Sequence, residues 1–173
     1  MTCPTSPRWP NVQPADPRVV TLLNEALTIE LTVVNGYFLN ARMLDNWGLP
    51  RLGKVFYDLS IGEMRDADEL IERILMFDGH PNVQKLNNIQ VGENAVEMLE
   101  LALASELHAI KTFNNAAKEC HELGDHATAN VFEGMARDEE SHADWFEAQI
   151  DACTRVGMEN YLAQQVDVTV NPA

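Results

Sequence analysis

The chain has 173 residues, 46% of them hydrophobic, which is enough for one domain with a substantial buried core and is not typical of a disordered protein. Its net charge is −15, from 27 acidic and 12 basic residues. This excess disfavours nucleic acid and anionic membranes as partners, because phosphate groups are bound by basic patches. It is compatible with the attraction of cations, or with a role in solubility alone.

Neither the N-terminal residues nor the cysteines indicate export. The N-terminus lacks the apolar segment of a secretory signal, and no uninterrupted apolar run approaches the roughly 18 residues needed to cross a membrane. Cys3, Cys120 and Cys153 are too widely spaced for a disulfide framework or a zinc site, which favours a reducing compartment. These features predict a cytoplasmic protein without a membrane partner.

Residues 1–17 contain five prolines and are predicted to form an extended arm. Apolar residues at helical spacing then predict a first helix to about residue 46 and a second from residue 50 to about residue 79. A loop of about a dozen residues follows, to about Gly92. The pattern further predicts a third helix over about 93–123, a fourth over about 126–156, a short fifth over 158–165 and a tail at 166–173.

Two helical hairpins joined by one long connection predict an all-α four-helix bundle with a single crossover. A 28-residue helix is about 42 Å long, and a dozen extended residues span roughly 40 Å. The connection can therefore carry the chain from one end of the bundle to the other. Residues 18–165 are predicted to form this one domain, with the short fifth helix at its C-terminal end.

Four glutamates occupy positions that the helical period assigns to apolar faces: Glu30, Glu63, Glu106 and Glu139. Buried carboxylates are unfavourable unless they are paired or bound to a metal. The two glutamates of each predicted hairpin are 33 residues apart, so they meet at similar depth across the antiparallel pair.

One helical turn after the second glutamate of each hairpin stands another potential ligand, Asp66 in the first and His142 in the second. The hairpins thus repeat one arrangement, a glutamate followed by Glu-x-x-Asp or Glu-x-x-His. The Glu-x-x-His pattern is typical of di-metal centres in four-helix bundles. Packed face to face, the hairpins are expected to bring six potential ligands together, and an oxygen-rich set suits iron or manganese better than zinc.

Two aromatic residues lie near these ligands along the helices. Tyr37 is two turns after Glu30, and Trp145 is one turn after His142. Each is a candidate to donate a hydrogen bond or an electron to the site, or is an ordinary aromatic of the core. An iron pair bridged by carboxylates would be able to transfer two electrons to dioxygen or hydrogen peroxide.

Several segments resemble the bacterioferritin family, and the resemblance covers about residues 18–165. It rests on ELTVVNGYF from Glu30, NWGL from Asn46, Glu63-Met64, IERIL from Ile71 and RDEESHADW from Arg137. It implies a ferritin-like fold and a hollow shell of 24 subunits that oxidises Fe(II) at intrasubunit di-iron centres and stores ferric mineral. By position, the family's iron ligands fall on Glu30, Glu63, Glu106, Glu139 and His142, and the family's sixth ligand, a histidine, is Asp66 here.

Met64 directly follows Glu63 and therefore points about 100° away from the bundle interior. From the residues alone it is a packing residue at an interface. In bacterioferritin the corresponding methionines of a twofold dimer ligate a shared haem b. The resemblance thus implies haem at Met64, a pocket lined by Leu31, Asn35 and Phe38, and a ferredoxin-type reductant. The family also has acidic or histidine side chains on the inner surface, and these positions are Asp58 and Gly62 here, which disfavours an iron site on that surface.

Three functional hypotheses follow. The first is an iron-storage subunit that oxidises Fe(II) with dioxygen or hydrogen peroxide, in a homo- or hetero-oligomer of 24 subunits. In the second, Asp66 impairs that ferroxidase activity, and the chain is a haem-bearing structural subunit of a mixed shell. The third is a ferritin-like oxygenase or peroxidase acting on an organic substrate.

Overall fold

The structure is a computed structural model and describes residues 16–167. Within that range the backbone forms five helices and no strand. This confirms the predicted all-α bundle with a short fifth helix. The predicted arm up to residue 15, and the tail from residue 168, lie outside the described residues. The helices are α1 (Arg18–Asn46), α2 (Pro50–Met76), α3 (Ala95–Glu122), α4 (His126–Val156) and α5 (Met158–Ala163).

The helix ends lie within a few residues of the predicted ones, and local hydrogen bonding explains the differences. α3 begins at Ala95 because Asn94 has an extended backbone and its side chain accepts a hydrogen bond from the Glu97 N–H at 3.0 Å. α2 ends at Met76 because Asp78 adopts a left-handed φ of 54°. The crossover therefore comprises residues 77–94 and is longer than predicted.

The crossover runs alongside α1 and joins opposite ends of the bundle. The Asn82 N–H donates to Asn24 Oδ1 at 2.7 Å, and five residues later the Asn87 N–H donates to Thr32 Oγ1 at 2.9 Å. The crossover thus advances in the same direction as α1. It returns the chain to the end of the bundle where α2 begins, so α3 runs parallel to α2 and antiparallel to α1.

The hydrophobic core is divided into two clusters, one towards each end of the bundle. The first contains the large fully buried residues Leu23, Leu70, Phe113 and Phe132, and the second contains Leu44, Phe56, Met98 and Phe146. α1 packs along α2 and α3 packs along α4, which forms the two predicted hairpins. The level between the clusters is where the four predicted glutamates lie.

Among the described residues, α1 alone is long and apolar enough to cross a membrane by length and composition. Leu23, Leu27 and Leu44 of this helix are completely buried in the bundle, whereas Phe38 and Leu39 are exposed. Packing in the bundle core therefore accounts for part of the hydropathy of α1, since 56% of its most apolar stretch is buried.

A Schellman motif fixes the turn between α3 and α4. Gly124 has a φ of 80°, and its N–H donates to the His121 carbonyl at 3.1 Å. The next N–H, that of Asp125, donates to the Cys120 carbonyl at 2.9 Å. These two bonds are the pair that defines the motif, and a left-handed glycine is its usual centre. The relative placement of the last turn of α3 and the first turn of α4 is therefore set by the backbone.

Asp125 also ties this turn to the first hairpin. Its carboxylate accepts a hydrogen bond from the Thr128 N–H at 3.0 Å, which caps α4, and lies 3.2 Å from a guanidinium nitrogen of Arg73 on α2. Arg73 Nε in turn donates to Thr128 Oγ1 at 2.9 Å. Both charged side chains are largely shielded from water, so this pair holds the end of α2 against the start of α4.

Candidate metal centre

Four buried glutamates, one from each long helix, meet at the middle of the bundle. Glu30, Glu63 and Glu106 are each 1% exposed, and Glu139 is 2% exposed. Each lies on the apolar face of its own helix, so the packing that buries the leucines also buries these carboxylates. The polar level that they form separates the two apolar clusters.

The carboxylates belong to two overlapping groups of potential ligands. In one, the ligand atoms of Glu63, Glu106, Glu139 and His142 all lie within 4.8 Å of one another, and we call this group the histidine position. In the other, those of Glu30, Glu63 and Asp66 meet the same limit, and we call it the aspartate position. The structure thus brings all six predicted ligand residues together, with Glu63 common to both positions.

Within the six-residue cluster, three buried carboxylate oxygens have no hydrogen-bond donor among the described residues: Oε1 of Glu30 and both oxygens of Glu63. Glu63 Oε1 lies 3.2 Å from His142 Nδ1, but the contact of Nδ1 with Glu139 Oε2, at 2.9 Å, is the one with hydrogen-bond geometry. A buried carboxylate without a donor is strongly unfavourable. A bound cation would satisfy these oxygens, so the residues fit a metal.

Mutual repulsion and burial shift the ionisation of the carboxyl groups. Burial, together with the charges of Glu63 and Glu139, raises the pKa of Glu30 well above its usual range. Burial and the charges of the same two residues raise the pKa of Asp66 to about 7. Without a cation the aspartate position therefore retains protons near neutral pH, and a cation would displace them.

His142 responds in the opposite sense. Burial lowers the pKa of this imidazole, but its contacts with Glu139 and Glu63 outweigh burial and raise the pKa to about 11. In the absence of metal, His142 is thus a cation that partly compensates the carboxylates. Its Nδ1 faces them, so the same atom is placed to ligate a metal once its proton has left.

Tyr37 connects the carboxylates to the apolar core. Its hydroxyl donates a hydrogen bond to Glu106 Oε1. Its ring packs edge-on against Phe56 and tilted against Phe146, with centroid separations of 5.4 and 5.9 Å. Burial, followed by the charge of Glu106, raises the pKa of Tyr37 well above its usual range, so it stays protonated as a donor. Tyr37 is therefore both a core aromatic and a hydrogen-bond donor to the cluster.

Sequence spacing alone did not indicate the Tyr37–Glu106 contact, because it relates Tyr37 only to Glu30 on the same helix. The contact depends on how the two hairpins pack against each other. Trp145 is partly buried, and its ring packs edge-on against Phe146 at 5.2 Å. This agrees with its interpretation as an aromatic of the core.

Met64 lies outside the carboxylate cluster, on the surface of the first hairpin, and is 47% exposed. Tyr57, Ile61 and Met64 are exposed at helical spacing along α2. Phe38 is exposed on α1, and its ring centroid lies 6.2 Å from that of Tyr57. We call these four residues the Met64 face. It adjoins the exposed Asn35 and the partly buried Leu31, the other two residues predicted to line a haem pocket.

Two antiparallel helical hairpins that enclose paired carboxylates define the ferritin-like class of proteins, and the ferritin-like domain family matches residues 20–156. Among similar proteins is the bacterioferritin of Brucella melitensis, 40% identical over 146 residues, or 84% of this chain and 91% of the relative. The bacterioferritin of Mycobacterium avium is 41% identical over 151 residues, or 87% of this chain and 95% of the relative. The chain belongs to the bacterioferritin family. Membership of this family supports iron storage as its function.

Glu30→Gln removes an ionisable group from the cluster but keeps the size of the side chain. In chelator-treated protein we expect a higher melting temperature than in the wild type, with a larger gain at pH 8 than at pH 5. The raised pKa of Glu30 means that the folded wild type retains a proton that the unfolded chain releases above roughly pH 4.3. The stability lost in this way grows with pH, by up to about 1.4 kcal/mol per pH unit, until the pKa of the folded state is passed.

Thermal melts followed by circular dichroism at matched subunit concentration would measure this effect. Glu140→Gln, at an exposed neighbour of Glu139, is the control and should change the melting temperature little at either pH. An equal gain for Glu30→Gln at pH 5 and pH 8 would contradict the expectation.

Proposed function

We propose that this chain is an iron-storage subunit that binds Fe(II) as its substrate at the six-residue cluster, oxidises it, and passes Fe(III) to the interior of a shell of 24 subunits. The observation that carries the proposal is the pair of overlapping ligand groups that share Glu63, with three buried carboxylate oxygens lacking donors. Two adjacent metal positions of this kind would place two Fe(II) ions side by side, so that each can give up one electron to the same oxidant molecule.

The two positions are chemically unequal. The histidine position combines one imidazole with three carboxylates, and borderline cations such as Fe(II) accept both kinds of ligand. The aspartate position offers oxygen alone, from Glu30, Glu63 and Asp66, and oxygen ligands suit harder cations. We propose that Fe(II) binds more tightly at the histidine position than at the aspartate position.

In the proposed reaction each of two Fe(II) ions gives up one electron. Hydrogen peroxide would take both electrons and two protons to give two water molecules, whereas dioxygen would take them to give hydrogen peroxide. The residues supply binding and orientation. Glu63 would hold both ions next to each other, and Tyr37 would hold Glu106 in place through its hydroxyl hydrogen bond.

A second candidate function is favoured by Asp66. Compared with the histidine of the family, aspartate is shorter, offers no nitrogen and adds negative charge to a carboxylate-rich site. If no iron binds at the aspartate position, the oxidation of Fe(II) requires another type of subunit. This chain would then be a haem-bearing structural subunit of a mixed shell.

We propose further that haem b binds at Met64, between two copies of the chain. A methionine thioether is an established axial ligand of haem iron. The side chains of the Met64 face are exposed and largely apolar, which suits a surface that receives the macrocycle, and the Arg42 guanidinium lies over the rings of Phe38 and Tyr57 at its edge. Haem bound there would supply one-electron transfer, with a ferredoxin-type protein as its proposed reductant. The proposed location of the protein is the cytoplasm.

Loss of one ligand at the histidine position should abolish rapid iron oxidation. We expect Glu139→Ala to lower the initial rate at least about 10-fold, since even the outer residues of metal sites commonly contribute 10- to 100-fold. Stopped-flow absorbance on the isolated homopolymer, with dioxygen and separately with hydrogen peroxide, measures the rate. Glu140→Ala, on the exposed side of the same helix, should stay within about twofold of the wild type. If the wild type oxidised iron no faster than Glu139→Ala, the ferroxidase proposal would be overturned. The second candidate function, a structural subunit of a mixed shell, would then remain.

Asp66→His supplies the imidazole that the aspartate position lacks. In Co(II) titrations of metal-free protein, followed by visible absorption, we expect the wild type to bind one equivalent per subunit tightly and a second weakly. Asp66→His should strengthen the second binding step at least about 10-fold, because imidazole is the better ligand for borderline cations. Asp68→His, at an exposed position on the same helix, is the control. Two equally tight equivalents in the wild type would contradict the proposed inequality.

Met64→Leu removes the thioether but keeps an apolar side chain of similar volume. We expect the variant to lose the haem absorption band after expression with added haem precursor. Shell assembly, measured by size-exclusion chromatography, and the rate of iron oxidation should be unchanged, because Met64 lies outside the carboxylate cluster. Retention of the haem band would refute Met64 as its ligand.

A further inference from the structure

A second group of metal-ligating side chains lies at the turn between α3 and α4. His121 is in the last turn of α3, His126 is the first residue of α4, and Glu133 lies two turns further along α4. All three are exposed. His121 follows Glu106 by 15 residues, which is roughly 22 Å along the helix axis, so this group is separate from the central cluster.

Close polar contacts connect the three side chains in the order His126, His121, Glu133. The Nδ1 atoms of His121 and His126 are 2.9 Å apart, and His121 Nε2 lies 2.8 Å from Glu133 Oε1. A carboxylate only accepts hydrogen bonds, so Glu133 holds the proton of His121 on Nε2. With neutral His121 in this tautomer, its Nδ1 lone pair faces His126, and the Nδ1–H tautomer of His126 would donate to it.

We infer that His121 and His126 form a binding site for a divalent transition-metal cation, such as Cu²⁺ or Zn²⁺, with both rings ligating through Nδ1. Two nitrogens bound to one ion at about 2.0–2.1 Å are separated by roughly 2.9–3.4 Å, for angles between square-planar and tetrahedral. The observed Nδ1–Nδ1 separation of 2.9 Å lies in this range. The cation takes the place of the shared proton, and the proton of His126 moves to its Nε2.

Glu133 completes the arrangement without ligating the metal itself. A metal-bound histidine usually donates its second ring N–H to a carboxylate, which fixes the tautomer and strengthens the ligand. The His121 Nε2 contact with Glu133 Oε1 already has this form. The site is exposed, so water fills the remaining ligand positions.

The backbone holds both histidines in register. The Schellman bonds at Gly124 and Asp125 fix the turn, and the capping of α4 by Asp125 fixes the start of the second helix. The α3 dipole favours a cation at its C-terminus and the α4 dipole disfavours one at its N-terminus, so the two helix ends offset each other. The affinity for the cation therefore depends on the two imidazole ligands and not on the helix dipoles. The negative charge of Glu133 further favours the cation.

The inference does not rest on the proposed ferroxidase function, and the number of nitrogen ligands separates the two sites. The central cluster contains one histidine, whereas the turn offers two. We expect the metal-free full-length protein to bind a Cu²⁺ ion whose electron paramagnetic resonance spectrum shows coupling to two nitrogens. Equilibrium dialysis against Cu²⁺ should show one equivalent more per subunit in the wild type than in His126→Ala.

The variants make the test specific. His126→Ala and His121→Ala should each lose the two-nitrogen signal and weaken this site at least about 100-fold, while Glu133→Gln should weaken it about 10-fold. His108→Ala, at an exposed histidine on α3 outside the group, is the control and should bind as the wild type does. Iron oxidation by His126→Ala should match the wild type. Equal Cu²⁺ binding by wild type and His126→Ala would overturn the site, and wild-type affinity in Glu133→Gln would overturn the role of the carboxylate.

Discussion

Four carboxylates buried at one level of an apolar bundle are the constraint on which the rest of the structure depends. Their mutual repulsion and lost hydration oppose folding, and three of their oxygens lack any donor among the described residues. The apolar clusters above and below this level provide the opposing stabilisation and hold the helices at a spacing that keeps the oxygens close. The metal-free protein is thus pre-organised for a cation, because the bundle and not the ligands determines the position of each carboxylate.

The two hairpins place their ligands by the same rule but supply different chemistry. A glutamate and the residue one turn later face the same interior in α2 and α4, so Asp66 and His142 occupy equivalent places. The pKa of Asp66 is raised to about 7, so this carboxyl group is partly protonated near neutral pH. The pKa of His142 is raised to about 11, so this imidazole is a cation. The proposed inequality of the two metal positions therefore follows from one side chain on otherwise equivalent helices, and not from a distorted bundle.

Most of the fold and the convergence of the ligands could be predicted from the sequence, because a long helix converts sequence spacing directly into position and direction. The start of α3 was predicted two residues early, although Asn94 followed by Glu97 is a recognisable capping pattern. The Tyr37–Glu106 hydrogen bond and the His121–Glu133 contact could not be predicted, since they join different helices. Contacts of this kind depend on the distance between helices and on the geometry of the turns. The periodicity of a single helix gives no information on either.

The rotation of α2 about its axis links the interior of the bundle to its surface. The Glu63 side chain points towards the other ligand residues inside the bundle, while the adjacent Met64 lies on the exposed face. A small rotation of α2 would therefore displace both side chains. Two contacts with α1 set this rotation. The Ser60 hydroxyl donates to the Val34 carbonyl at 2.9 Å, and a Cβ on Gly53 would lie 3.0 Å from the Ala41 carbonyl oxygen. The same contacts that place Glu63 between the two metal positions therefore fix the surface proposed to receive haem, and a change in the packing of α1 on α2 would alter both sites together.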